Sequence, residues 1–135
     1  QHINSCLLPL AALHGKHLLT VEGLSEQPTP LQQALIDHGG IQCGYCTPGM
    51  VIALTAHLLN SPTLDEASLK TALDGNLCRC TGYAGIVRAG AALHDLLPSL
   101  PADPAQRPWP VEPVSSFLGQ GMDGVRVAVD RQKLR

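Results

Sequence analysis

Two short stretches, QCGYC at 42–46 and CRC at 78–80, hold four of the five cysteines in the chain. Thirty-one residues separate the two pairs, and both are set among glycine and threonine. No other feature restricts the fold as strongly, because four thiols in two tight pairs need a common use. Five is an odd number, so complete internal disulfide pairing is impossible. Cys78 and Cys80 are too close along the chain to bond each other without strain. The sequence around them reads as helix-rich, unlike a small secreted module stapled by disulfides. Something that needs several thiolates at once is the better explanation.

The segments between and around the pairs read as helices. PLQQALIDHGG starts with Pro30 as the first helical residue, carries Leu31, Leu35 and Ile36 on one apolar face, and stops at Gly39-Gly40. After Cys46, Thr47 is a suitable N-cap, followed by Pro48. From there to Asn60 the sequence is apolar almost all round, which predicts a buried helix. Thr63 is a candidate cap for a third helix, with Asp65 and Glu66 in its first turn and an end near Leu73. A fourth is predicted from about Ala84 to Leu97. The fold class expected is therefore mainly α, a four-helix domain over 30–97 in which the cysteine pairs punctuate the helices.

The flanks read differently. INSCLLPLAALHGKHLLTVEGL, within 1–24, has two apolar stretches joined by His14-Gly15-Lys16 and predicts a β-hairpin. Six prolines between 98 and 113 mark a linker, taken as 98–124. In 125–135, Val125, Val127 and Val129 alternate with other residues and predict a short strand, to be read either as a disordered tail or as the start of a further domain.

Hydrophobic residues make up 44% of the 135 residues and aromatic residues only 3%, so the core must be built from Leu, Ala, Val and Ile. That suits closely packed helices. Net charge is −2, which leaves no basic field for nucleic acid or anionic membrane. The longest apolar run, Met50 to Leu59, is interrupted by Thr55 and His57 and is too short to span a bilayer. No signal peptide opens the sequence, but it also lacks an initiator Met, so that absence decides little; a cytoplasmic location is the expectation, with export left open.

Four thiolates are soft donors that suit zinc or an iron–sulfur cluster. Zinc sites usually pair cysteines two to four residues apart around one ion, and a C-x-C pair is tight for that. Two iron atoms bridged by sulfides offer separate attachment points. Gly44, Gly49, Gly75 and Gly82 allow the backbone to approach the sulfides and present N–H groups to them. Spacing and setting favour iron–sulfur, and a zinc-stabilised interaction module without redox role is the alternative.

QCGYCTPGM together with GNLCRCTGY resembles the signature of the helical [2Fe–2S] domain of the molybdenum hydroxylases, the family of xanthine dehydrogenase, aldehyde oxidoreductase, carbon monoxide dehydrogenase and 4-hydroxybenzoyl-CoA reductase. The likeness covers roughly Leu31 to Leu97. It implies Cys43, Cys46, Cys78 and Cys80 as ligands of one [2Fe–2S] cluster, with the expectation that each sequence pair serves one iron. It also implies that Gln42 and Cys80 face the pterin of a molybdenum cofactor carried by a large partner subunit. INSC and TVEGL resemble the close of a plant-type ferredoxin domain, so 1–24 is expected to be its C-terminal remnant. Cys6 then corresponds to the last ligand of a second cluster whose other three ligands would lie upstream, an orphan here. The implied function is electron transfer between the molybdenum centre and FAD, with no catalysis by this chain alone, and 125–135 is expected to open the flavin domain.

Other residues carry lesser expectations. Tyr45 and Tyr83 are expected to shield the cluster by packing, and Arg79 to screen its charge or bond a helix end. His57, on an apolar helix, is expected to be a hydrogen-bonded core residue. No serine has the accompanying His and acid that nucleophilic catalysis requires.

Overall fold

The structure is a computed structural model that describes residues 2–14, 17–24, 28–61, 63–94 and 126–128. The expected linker over 98–124 lies outside the described residues, as does all of 125–135 except the three residues of a strand. Four α-helices form the body: α1 Pro30–Asp37, α2 Thr47–Asn60, α3 Glu66–Ala72 and α4 Ala84–Ala91.

Helix α1 starts as its sequence requires. The Thr29 hydroxyl accepts from the Gln32 amide at 3.3 Å, the Gln32 side chain accepts from the Thr29 amide at 2.6 Å, and Pro30 fills the first helical position. It ends where the Gly40 amide returns to the Leu35 carbonyl at 2.7 Å across Gly39, whose φ of +66° is left-handed. Leu31 and Leu35 are buried, but Ile36 is 58% exposed, so the inward face is narrower than expected.

Helix α2 is the buried one, placing Met50, Val51, Ala53, Leu54, Ala56 and Leu59 in the core. Its N-cap is Cys46 and not Thr47; Thr47 is already helical and makes no capping bond. The cap of α3 is Asp65, whose carboxylate accepts from the Ser68 amide at 3.0 Å, in place of Thr63. Aspartate is the stronger acceptor, and the helix starts one residue beyond it. Helix α4 ends at Ala91, giving way to a tighter 3-10 turn through His94, short of the predicted Leu97.

Helix α4 packs against α1 and α3, and α2 also packs against both. The end of α1 and the start of α4 approach each other backbone to backbone. A Cβ on Gly85, in the first turn of α4, would lie 2.6 Å from the Gly39 carbonyl oxygen and 2.9 Å from the Gly40 nitrogen. Only glycine allows the end of α1 to lie directly on the start of α4. His57 bridges α2 and α3 through a 3.2 Å contact with the Ser68 hydroxyl, the satisfied role expected of it.

The N-terminal segment departs from the expected hairpin. Among the described residues Ser5–Leu7 and Leu10–Leu13 are short 3-10 turns, and the one strand there is β1, His17–Leu19. Pro9 and the run of Leu and Ala behind it favour turns over a β-ladder. The predicted strand near the C-terminus exists as β2, Arg126–Ala128, and it pairs with β1 in parallel, Leu18 opposite Val127. No helix among the described residues is long and apolar enough to cross a membrane.

Candidate metal centre

The two cysteine loops lie at the N-terminal ends of α2 and α4, and the contact of Gly39-Gly40 with Gly85 fixes the second of these ends on α1. In each loop the chain uses left-handed backbone, at Gly44 between the first pair and at Gly82 and Tyr83 after the second. For Tyr83 (φ +66°) this conformation carries a steric cost that glycine avoids.

Two hydrogen bonds hold Tyr83 in place. Its hydroxyl accepts from the Cys78 amide at 2.8 Å and donates to the Asn76 carbonyl at 2.9 Å, clamping the loop that leads into the second pair. Tyr83 thus shapes the thiol loop as well as packing against the core. Tyr45 does not act as expected: at 94% exposed it shields nothing within this chain.

The four thiols come together across the two loops. Cys43 Sγ and Cys80 Sγ are 3.5 Å apart. The Cys46 and Cys78 side chains are also neighbours, each shifting the ionisation of the other. The thiols that approach each other are thus first with last and second with third, whereas the expectation from sequence puts each neighbouring pair on one iron. Two loops that face each other bring opposite members together more easily than a C-x-C stretch folds back on itself. The Cys43–Cys80 pair is exposed and the Cys46–Cys78 pair half-buried.

The local electrostatics differ within each pair. The Tyr45 backbone amide, followed by the Cys80 thiol, draws the Cys43 thiol below its ordinary range. Cys80 is pushed up, chiefly by its neighbour Cys43. Burial pushes Cys46 up to about 11, whereas the Thr81 hydroxyl, 3.1 Å from Cys78 Sγ, brings Cys78 down to about 7. Each pair thus contains one thiol whose ionisation is favoured and one whose ionisation is disfavoured.

Two thiolates bound to one tetrahedral metal at about 2.3 Å sit about 3.8 Å apart, close to the Cys43–Cys80 separation of 3.5 Å. Among the described residues, no three His, Cys, Asp or Glu side chains converge as donors for one ion. Two couples of sulfur suit two metal atoms better than a single zinc, which needs its ligands around one point. Two buried polar atoms beside the couples, Thr47 Oγ1 and Asn76 Nδ2, have no hydrogen-bond partner among the described residues. A sulfide-bearing group would give such donors an acceptor. The residues present therefore fit a two-iron cluster.

Gln42 is exposed at the edge of the first loop, next to Cys43. Arg79 is also exposed, between Cys78 and Cys80. Cys6 is exposed in the 3-10 turn Ser5–Leu7. Its segment reaches the thiol loop where the Asn4 side-chain amide donates to the Gly75 carbonyl at 3.3 Å.

Comparison with known proteins points to the same kind of centre. The profile of a family described as "[2Fe-2S] binding domain" matches residues 20–91, more than half of the chain. Over 89 residues the chain is 51% identical to a xanthine dehydrogenase of Emericella nidulans, covering 64% of this chain and 6% of that protein. Over 91 residues it is 47% identical to aldehyde oxidase 2 of Rattus norvegicus, covering 65% of this chain and 7% of that one. The crystal structure of quinoline 2-oxidoreductase from Pseudomonas putida 86 superposes with a TM-score of 0.53 at 36% identity, covering 59% of this chain and 52% of the other. The chain thus spans only 6–7% of the length of these two relatives. The cross-paired thiols, the helices that carry them and the family match lead to one assignment: the chain belongs to the [2Fe-2S] binding domain family of the xanthine dehydrogenase and aldehyde oxidase type.

Proposed function

We propose that Cys43, Cys46, Cys78 and Cys80 hold one [2Fe–2S] cluster, with Cys43 and Cys80 on one iron and Cys46 and Cys78 on the other. The observation that carries this reading is the cross-pairing of the thiols, with Cys43 and Cys80 3.5 Å apart. When bound, the cluster supplies one-electron transfer. The chain fixes its position between two helix ends and its potential through burial and hydrogen bonds to sulfur. The match to a [2Fe-2S] binding domain and the likeness to xanthine dehydrogenase and aldehyde oxidase support the chain acting as the electron-transfer part of a larger oxidoreductase.

That oxidoreductase is of the molybdenum hydroxylase type. The resemblance assigns a large subunit or domain carrying the molybdenum cofactor as the electron donor, and FAD as the acceptor beyond. The exposed Cys43–Cys80 couple faces outward beside Gln42, which suits the pterin-facing role of Gln42 and Cys80. Tyr45, 94% exposed, and Leu77, 87% exposed, adjoin the ligands in sequence and are uncovered apolar surface of the kind a partner buries. Cys6 takes no part in this site; its position in NSC corresponds to a ligand of a plant-type cluster. A cytoplasmic location goes with this reading.

Purified and reconstituted chain is expected to contain about two irons and two sulfides and to be red-brown. Cys6→Ser is expected to leave both the iron content and the visible spectrum unchanged. Colourless protein with one zinc would overturn the reading in favour of a zinc-held interaction module, and loss of iron in Cys6→Ser would show the ligand set to be wrong.

A further inference from the structure

One polar contact at the thiol loops reaches a ligand sulfur directly. Thr81 Oγ1 lies 3.1 Å from Cys78 Sγ, and the same oxygen accepts from the Tyr83 amide at 3.2 Å. A hydroxyl has one proton to donate and lone pairs to accept with. Because the Tyr83 N–H already occupies a lone pair, the Thr81 proton is free to point at the sulfur. A metal-bound thiolate has no proton of its own and can only accept, so the direction of the bond in the loaded state is settled by chemistry.

The arrangement is also kept rigid. Tyr83 is locked at φ +66° by its hydroxyl bonds to the Cys78 amide and the Asn76 carbonyl. Its own amide is therefore held where it can orient the Thr81 hydroxyl. The other loop has the same residue in the same place, since Thr47 follows Cys46 as Thr81 follows Cys80. Yet Thr47 Oγ1 is buried without a partner among the described residues. Among the described residues, the second loop alone sets its threonine hydroxyl against one of these cysteine sulfurs.

We propose that the Thr81 hydroxyl, oriented by the Tyr83 backbone amide, donates to Cys78 Sγ and raises the reduction potential of the cluster. The proposal rests on the ligand assignment above. Reduction adds negative charge to the iron and its thiolates. A donor aimed at one of those sulfurs stabilises the reduced form more than the oxidised one. The half-buried position of Cys78 strengthens this, because a hydrogen bond away from bulk water is screened less.

The test is a dithionite titration of the reconstituted full chain, followed by visible absorption, with iron and sulfide measured on each sample. Thr81→Val keeps the side-chain shape and removes the proton. It is expected to disfavour reduction by about tenfold, a midpoint more negative by about 59 mV for one electron. Thr81→Ser restores the hydroxyl and is expected to titrate within about twofold of wild type, and Thr81→Ala is expected to behave as Thr81→Val. A Thr81→Val midpoint equal to wild type at full iron content overturns the proposal, as does a Thr81→Ser shift as large as that of Thr81→Val. If Thr81→Val and Thr81→Ala both lose iron, the hydroxyl retains the cluster and does not tune it, and the proposal also fails. A wild-type chain that takes up no iron and sulfide would instead overturn the ligand assignment, so the two failures are distinct.

Discussion

Cys43→Ala is expected to abolish stable iron binding and to lower the melting temperature of the loaded chain far more than a core truncation does. Removal of Cys43 leaves Cys80 without its partner 3.5 Å away and leaves one iron with an open position. The cost does not stop at the metal. Cys43 and Cys46 come from the loop before α2, and Cys78 and Cys80 from the loop before α4. A cluster held by all four is a cross-link between two helix ends, and in sites of this kind the free energy of metal binding is free energy of folding. Leu54→Ala provides the scale. Leu54 is 1% exposed in the middle of α2, and its truncation is expected to cost about 2–5 kcal/mol without touching the ligands. Iron content and thermal unfolding of the two variants make the comparison. Leu54→Ala should melt lower with its iron intact. Full iron occupancy and wild-type melting in Cys43→Ala would remove Cys43 from the ligand set.

The helical part of this architecture was legible because its signals are local. Pro30 as the first helical residue and Gly39-Gly40 as the stop write α1, and an apolar stretch after Thr47-Pro48 writes a buried helix. The cysteine motifs were equally legible as a metal site, since four soft donors in two pairs admit few other uses. What the sequence hid is long-range. Nothing in QCGYC or CRC says that Cys43 meets Cys80 and not Cys46, because that depends on how two helix ends face each other in space. The expected N-terminal hairpin failed for a related reason. Its leucine-rich stretches fit a strand by composition, but β1 finds its ladder partner in residues more than a hundred positions away. Thr81 and Tyr83 were visible as letters of a motif, and only their hydrogen bonds to Cys78 separate tuning and shaping roles from simple packing.

Gly85 is the clearest case of a residue whose importance sequence does not announce, and Gly85→Ala is expected to cost about 3 kcal/mol, the upper end for overpacking. Intrinsic preference points the other way: in a helix, alanine is favoured over glycine by up to about 1 kcal/mol. The decision lies in what the new methyl meets. At Gly85 it would lie 2.6 Å from the Gly39 carbonyl oxygen, 2.8 Å from the Gly39 carbonyl carbon and 2.9 Å from the Gly40 nitrogen, all backbone atoms. None of these can swing aside as a side chain can, so α4 must move off the end of α1. Gly90, one helix face along, is the control. A methyl there would meet Leu69 Cδ2 at 2.8 Å and Leu54 Cδ2 at 3.4 Å, both ends of flexible side chains. Gly90→Ala should therefore be accommodated by small rotations of leucine, with helix preference offsetting much of the strain, and stay within about 1 kcal/mol of wild type. Because Gly85 lies close behind Cys80, displacement of α4 should also carry the second thiol loop away from the first. Gly85→Ala is thus expected to lose iron as well as stability, whereas Gly90→Ala keeps both. Equal melting and equal iron content in the two variants would mean that the Gly39–Gly85 contact does not position the metal site.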